Sequence, residues 1–327
     1  APSTSGKSTV GRHIEEVMHL KKNIILLMLF ASAALNAAEQ KTAKIHPAFG
    51  LTQTTEKLLK QIKSPKPSDN SYELNESDIT ELLKILQKTD MCIKAIVENI
   101  GNAKTIGYRK NLTIDFISGK DNGPIRRSFS MGMLSSTGQK LDMAISADVG
   151  MFGFSDDSGR ITYSREGSFR ISSDRIIRNS AGQKLLPQIQ IKPDDLVETM
   201  TISEVGSVKI SNDGGKPREI GQIVLFAFQN PQDLIFERKC NCFYPKNLKD
   251  KPKELTPGLG GAGGILQGFL ELSNANIYEE QAEYLSLIRF YNLIYDAISR
   301  LDPRFVGAYK THILDPAHVK ELQEALR

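Results

Sequence analysis

The sequence predicts an α+β fold, a mostly-β central domain bracketed by N- and C-terminal helices that can form a coiled coil. Three observations predict it. Apolar residues recur at alternating spacings of three and four over residues 79–103 and again over 284–301, the mark of a helical seam. Between those stretches the period falls to two, as in half-buried strands. Clusters of Gly, Asp, Asn and Ser then cut the same region into short segments, as turns do.

The chain has 327 residues, 40% of them hydrophobic and 24% charged, with 25 Gly, three Cys and no Trp. That is enough for one large domain or two ordinary ones. The apolar fraction excludes disorder throughout, and the glycines show no triplet period, which excludes collagen. Three cysteines are too few for a disulfide scaffold. Residues 1–72 hold ten Lys or Arg against five acids, a net +5, so the overall +4 leaves −1 on the remaining 255 residues. A nucleic-acid-binding domain concentrates basic residues on its folded part. The basic character here belongs to a tail, so no nucleic-acid partner is expected.

Ala1-Pro2-Ser3-Thr4-Ser5-Gly6-Lys7-Ser8 fits the looser phosphate-loop pattern, in which backbone N–H groups cradle phosphates. That mechanism needs a strand feeding the loop and a helix leaving it, and the sequence offers neither. Residues 1–17 are therefore expected to be an upstream or non-native segment, not a nucleotide site. From Met18, Lys21 and Lys22 lead into an apolar run of twelve residues, Ile24 to Leu35, with small residues at Ala31-Ser32-Ala33 and Ala37-Ala38. This is the pattern of a secretory signal, and it is shorter than the roughly 20 residues that span a bilayer. Residues 18–38 are expected to be a signal peptide. Residues 39–72, which include Ser64-Pro65-Lys66-Pro67-Ser68, are expected to be a flexible linker.

The first helical unit is placed at 73–110. Ser77 can cap its helix, with Asp78 and Glu81 in the first turn near the positive end of the dipole. Its seam runs through Ile79, Leu82, Leu86, Thr89, Ile93, Ile96, Ile100 and Ala103. The second helical unit, 271–302, has its cap at Asn276. That side chain can accept from the backbone three residues on while Glu279 reaches back. Its seam is Tyr284, Leu287, Tyr291, Ile294, Ile298 and Leu301, flanked by Ile277, Ile288 and Tyr295. Amphipathic helices of this kind can pack on their own domain. Standing one before and one after everything else, these two are expected to pair with each other and with neighbouring copies.

Residues 111–270 are expected to be β-rich. Leu141, Met143 and Ile145 alternate with Asp142, Ala144 and Ser146, and Ile161, Tyr163, Phe169 and Ile171 continue short strands around Arg165-Glu166-Gly167-Ser168, expected to be a hairpin turn. Asp156-Asp157-Ser158-Gly159, Ser180-Ala181-Gly182, Asn212-Asp213-Gly214-Gly215 and the Gly258 to Gly264 cluster supply further turns.

Three ordered blocks carry a resemblance. Glu98-Asn99-Ile100-Gly101-Asn102-Ala103-Lys104-Thr105-Ile106-Gly107-Tyr108-Arg109-Lys110 resembles the Asn-rich signature of the bacterial flagellar basal-body rod and hook family: asparagines, small residues, Thr, then Gly-aromatic-basic. Leu141 to Ile145, Thr162 to Phe169 and Gly182 to Pro187 are similar to that family's middle, and Leu266 to Asn276 to the strand and turn before its last helix. Together they cover roughly residues 80 to 300. The resemblance implies a structural role, with subunits stacked into a hollow axial tube, terminal helices inside and β domain outside. It implies no catalytic residue, cofactor, metal or small-molecule substrate. The implied partners are further copies of the chain and other flagellar axial or basal-body proteins, at the basal body or in the periplasm after export. Residues expected at the assembly interface are Ile93, Ile96, Asn99, Ile100, Asn102, Thr105, Gly107, Tyr108, Gln267, Gly268, Glu271, Asn274, Asn276, Tyr284, Leu287, Tyr291, Ile294 and Ile298.

Some features depart from that family. A secretory signal, a linker ahead of the first helix and an extension over 303–327, with Pro303 breaking the helix, would crowd a closed tube. They favour as alternative a non-polymerising periplasmic flagellar accessory or envelope-binding protein with the same fold. Cys240-Asn241-Cys242 can close a local disulfide, one of the pair can join Cys92, or all three can stay free or buried thiols, which is the expected arrangement. Zinc lacks a matched ligand set. Asn75-Glu76-Ser77 and Asn111-Leu112-Thr113 match the glycosylation acceptor pattern, which arises often by chance. The sequence contains no G-x-S-x-G, H-E-x-x-H or Rossmann glycine pattern. Asp156 and Asp157, as adjacent residues, point to opposite faces of a strand and do not make an acid pair.

Overall fold

The computed structural model describes residues 76–113, 125–212, 215–247 and 249–301. The stretches read above as an upstream segment (1–17), a signal peptide (18–38), a linker (39–72) and a C-terminal extension (303–327) lie outside the described residues.

Two long helices, α1 (Glu76–Gly101) and α2 (Ile277–Leu301), flank a mostly-β region and pack on each other. Asn99 near the end of α1 meets Glu280 in the first turn of α2, so the two run antiparallel. The heptad positions make the contact. Leu82, Leu86, Thr89, Ile93, Ile96 and Ile100 are buried on α1, against Leu287, Tyr291, Ile294 and Ile298 of α2. Each Leu or Ile taken fully out of water contributes roughly 1.5–3 kcal/mol. The Thr89 hydroxyl donates to Ile85 O at 2.8 Å, so its burial leaves no unmet donor. The buried stripe is wider than a two-per-heptad seam and takes in Cys92, Val97 and Phe290. Part of the reason is that α1 also rests on the chain just beyond it, where Cys92 Sγ lies 3.8 Å from Thr113 O. Burial pushes the Cys92 thiol up to about 12.

The cap of α2 differs slightly from expectation. Asn276 Oδ1 accepts from Tyr278 N at 3.0 Å, two residues on, and the Glu279 carboxylate lies 3.4 Å from the Asn276 amide nitrogen. The short Asn side chain closes the tighter of the two capping rings.

Between the helices, a seven-stranded antiparallel sheet runs from edge to edge as Leu234–Glu237, Cys242–Pro245, Ile161–Ser164, Phe152–Ser155, Lys184–Leu186, Ile177–Asn179 and Phe169–Ile171. Alternation along Phe152–Ser155 divides its two faces. Phe152 and Phe154 enter a core shared with Met200, Ile202, Val208 and Ile210 of a three-stranded sheet, Leu196–Ile202, Ser207–Ser211 and Arg218–Gln222. On the other face Met151, Tyr163, Phe226 and Phe243 form an aromatic cluster. Phe226 lies so close over Gly153 that a Cβ there would stand 2.4 Å from a ring carbon. Asp156 to Gly159 makes the tight turn before Ile161–Ser164, with Asp156 Oδ1 accepting from Ser158 N and Arg160 N at 2.9 and 3.0 Å.

Two expectations are corrected here. Arg165-Glu166-Gly167-Ser168 is not a hairpin turn, because the strands on either side of it pair with other partners. It is a buried crossing segment. Gly167 passes against the Met143 backbone, where a Cβ would stand 1.7 Å from Met143 O, and Gly167 O accepts from Met143 N. The second correction concerns the cysteines: Cys240 and Cys242 are joined by a disulfide and Cys92 is the free, buried thiol. The short helical turn Arg238–Cys240, followed by Asn241 at a left-handed φ of 46°, folds the two sulfurs together. No helix among the described residues is long and apolar enough to cross a membrane.

Candidate functional site

Where α1 ends, the chain packs a run of polar residues into the angle between the helix pair and the sheet. Asn102 Nδ2 donates to Glu98 O at 2.8 Å and Thr105 Oγ1 to Asn102 Oδ1 at 3.1 Å, which occupies a last-turn carbonyl of α1. The helix stops at Gly101, six residues before Gly107. The positive φ of Gly107, 69°, lets the chain cross the Arg165–Glu166 backbone, where a Cβ would lie 2.5 Å from Arg165 C. Its N–H donates to Glu271 O at 2.7 Å.

Past that crossing stand two buried hydrogen-bonded centres. The first is Glu271, fully buried. Its Oε1 accepts from Arg109 Nη2 at 2.5 Å and Gly132 N at 2.8 Å, and its Oε2 from Arg165 Nε at 2.7 Å. Arg165 places its remaining N–H groups on Gly150 O, Ile145 O and Ala147 O at 2.7, 3.0 and 2.7 Å. Burial draws the Arg165 guanidinium down to about 10, against the pull of the Glu271 charge. Arg109 Nε and Nη1 are buried and make no hydrogen bond among the described residues.

The second centre is Asn99, also fully buried. Its Nδ2 donates to Glu280 Oε2 at 2.8 Å and Asn111 O at 3.0 Å, and its Oδ1 accepts from Asn111 N at 2.7 Å and Tyr108 OH at 3.2 Å. Lys110 Nζ reaches the other oxygen of Glu280 at 3.0 Å. Burial pushes the Tyr108 hydroxyl well above its ordinary range and raises the carboxyl of Glu283, which accepts from Thr113 Oγ1. At the rim, Glu98 Oε1 accepts from Arg127 Nη2 and Arg238 Nε at 3.1 and 3.2 Å, and the Arg127 guanidinium sits 3.8 Å from the Phe236 ring centre.

The residues expected at an assembly interface fall within this one chain. Ile93, Ile96, Ile100, Leu287, Tyr291, Ile294 and Ile298 are buried between α1 and α2, with Tyr284 half-buried at the edge. Asn99, Tyr108 and Glu271 hold the two centres; Asn102, Thr105 and Gly107 shape the turn; Asn276 caps α2. Asn274 Oδ1 accepts from Lys110 N at 2.7 Å, and its Nδ2 donates to Ser128 O and Ser130 O. Gln267 and Glu271, both expected at the assembly interface, do not share a strand. Gly268, at φ 78°, separates strand Ile265–Gln267 from strand Phe269–Glu271, and the two side chains part. Gln267 reaches Ile202 N and Lys140 O while Glu271 turns inward.

Sequence reasoning missed Arg109, Lys110, Arg165 and Glu280 as members of the site. Their partners lie 162, 170, 106 and 181 residues away, beyond any local pattern. The one available signal was Glu271 standing between Leu270 and Leu272, a charge where a strand should bury an apolar face. Asn111 is buried and donates to Ala95 O and Glu98 Oε2, so its acceptor pattern is a chance match. Possible ligand atoms of Glu237, Cys240 and Cys242 lie within 4.8 Å of one another. The sulfurs are bonded to each other and Glu237 is paired with Arg160 at 2.7 Å, so both kinds of donor are already engaged.

Residues 144–210 match the flagellar hook protein FlgE/F/G D1 domain. The chain is 35% identical over 180 residues to the flagellar basal-body rod protein FlgG of Borreliella burgdorferi, covering 54% of this chain and 66% of that protein. It is 31% identical over 175 residues to FlgG of Buchnera aphidicola subsp. Schizaphis graminum, covering 53% and 66%. It is 27% identical over 224 residues to FlgG of Bacillus subtilis, covering 59% and 83%. The match spans just under two thirds of the length of the first two relatives. All three similarities point to the flagellar basal-body rod protein family.

Proposed function

We propose that this chain, similar to the flagellar basal-body rod proteins, is a structural, non-enzymatic subunit of that rod. In this reading it assembles with further copies of itself and with other axial proteins. The helix pair, units 73–110 and 271–302, faces the axis, and the β-rich unit 111–270 forms the outer layer.

The observation that carries the reading is apolar surface left outside a seam that is already closed. Tyr278 is 80% exposed and Leu285, seven residues on and so on the same face of α2, is 46% exposed; Met91 on α1 is also 46% exposed. The seam residues thus act on assembly by building the helix pair, and the outward residues meet the neighbouring subunit. Export through the signal at residues 18–38 and passage through the periplasm belong to the same proposal, and N-terminal sequencing of envelope-derived protein tests that part.

The assembly reading is tested by concentrating the purified chain and following it by light scattering and electron microscopy. Oligomers growing into rod-like stacks are expected, and Tyr278→Asp with Leu285→Asp should abolish them while leaving the helical circular dichroism unchanged. A wild-type chain that stays monomeric at high concentration contradicts the proposal.

A further inference from the structure

The centre around Asn99 holds more chemistry than a structural joint requires. Glu280 is a buried carboxylate with one oxygen on an amine, Lys110 Nζ at 3.0 Å, and the other on an amide nitrogen, Asn99 Nδ2 at 2.8 Å. The oxygen of that same amide accepts two donors, Asn111 N at 2.7 Å and Tyr108 OH at 3.2 Å. A nucleophile, a proton carrier touching both nucleophile and leaving group, and a pair of donors on the carbonyl oxygen are what acyl transfer needs.

We propose that Lys110 and Asn99 form an intramolecular amide bond, with Glu280 as the catalytic acid–base. Glu280 takes a proton from the Lys110 ammonium, and the freed Nζ attacks Asn99 Cγ. The charge that develops on Asn99 Oδ1 is held by Asn111 N and Tyr108 OH. Glu280 then delivers its proton to Nδ2, the Cγ–Nδ2 bond breaks, and the leaving ammonia takes the second Nζ proton, by way of Glu280, and departs as ammonium. A lysine ammonium and an asparagine amide become one secondary amide and one ammonium ion, so atoms and charge balance and no oxidant or reductant is involved. The reaction happens once per chain, without turnover.

The setting favours it. Asn99 is fully buried and the Glu280 side chain is 2% exposed, which keeps water from competing with the amine, while the Lys110 side chain, at 24%, leaves ammonia a way out. Lys110 N is itself fixed on Asn274 Oδ1 at 2.7 Å, so the attacking side chain starts from a held backbone. The bond would close the connector between α1 and the sheet into a covalent ring, at the place where force passing between helix pair and β region must cross.

Intact-mass spectrometry of the folded full-length chain, incubated after purification, tests this. With the Cys240–Cys242 disulfide reduced, the expected mass falls short of the sequence mass by one ammonia, and tryptic digestion yields a branched peptide joining residues 95–104 to residues 110–120. Lys110→Arg keeps a cation opposite Glu280 but cannot make the bond and should show the full sequence mass; Glu280→Gln should do the same. A folded wild-type chain at its full sequence mass overturns the proposal. So does an ammonia loss that maps to any other residue or persists in Lys110→Arg.

Discussion

Glu271→Gln is expected to destabilise the chain more than any other single substitution at the polar centres, by about 3–5 kcal/mol, the loss typical when one partner of a buried ion pair is removed. Among the described residues, the carboxylate is the only acidic group hydrogen-bonded to Arg109 and Arg165, both about 1% exposed. Gln keeps the shape but not the charge, and leaves two guanidinium groups facing each other out of water. Arg165 retains three carbonyl partners, whereas Arg109 Nε and Nη1 have none among the described residues. Arg109→Met should therefore cost less than Glu271→Gln, because it removes an unmet donor along with the charge. Urea unfolding checks both: the midpoint should fall at constant slope, further for Glu271→Gln. A Glu271→Gln midpoint equal to wild type would show that the triad contributes nothing.

Ile294→Asp is the second large effect. Ile294 is fully buried between α1 and α2. Truncation there to Ala would cost roughly 2–5 kcal/mol, and Asp adds a carboxylate with no partner in an apolar seam. The main β core shares no residue with the seam cluster, so the sheet should survive. The expected result is a large loss of helical circular dichroism with the aromatic near-ultraviolet signal retained, and no assembly at any concentration. This differs from Tyr278→Asp with Leu285→Asp, which should lose assembly with helicity intact. Loss of neither helicity nor assembly in Ile294→Asp would remove the role given to the seam. Ile96→Asp on the facing helix should behave alike.

The helical seams were legible because burial on a helix repeats in the sequence itself, and Leu82 through Ile100 and Leu287 through Ile298 carry that repeat without interruption. Strand content was legible from turn chemistry, as at Asp156 to Gly159. The same chemistry misled at Arg165 to Ser168, where charged residues and a glycine looked like an exposed turn. There the charge is buried because Glu271 meets it, and the glycine is needed because the Met143 backbone lies against it. Asn99 was visible as an asparagine deep in a helix; its partners Glu280 and Lys110 were not. A hydrogen bond spanning 181 residues leaves no trace in spacing. The disulfide was one of three open arrangements, decided by the left-handed Asn241.

In this picture α1 and α2 pair within one subunit, held to the sheet by the polar centres, before any neighbour arrives. Spin labels on Met91→Cys and Leu285→Cys, both exposed on the helix pair, test it most directly by pulsed dipolar spectroscopy. A single short distance is expected, persisting when labelled chains are diluted into an excess of unlabelled ones. A short distance that disappears on dilution would mean that the helices meet only between chains, and would contradict that picture.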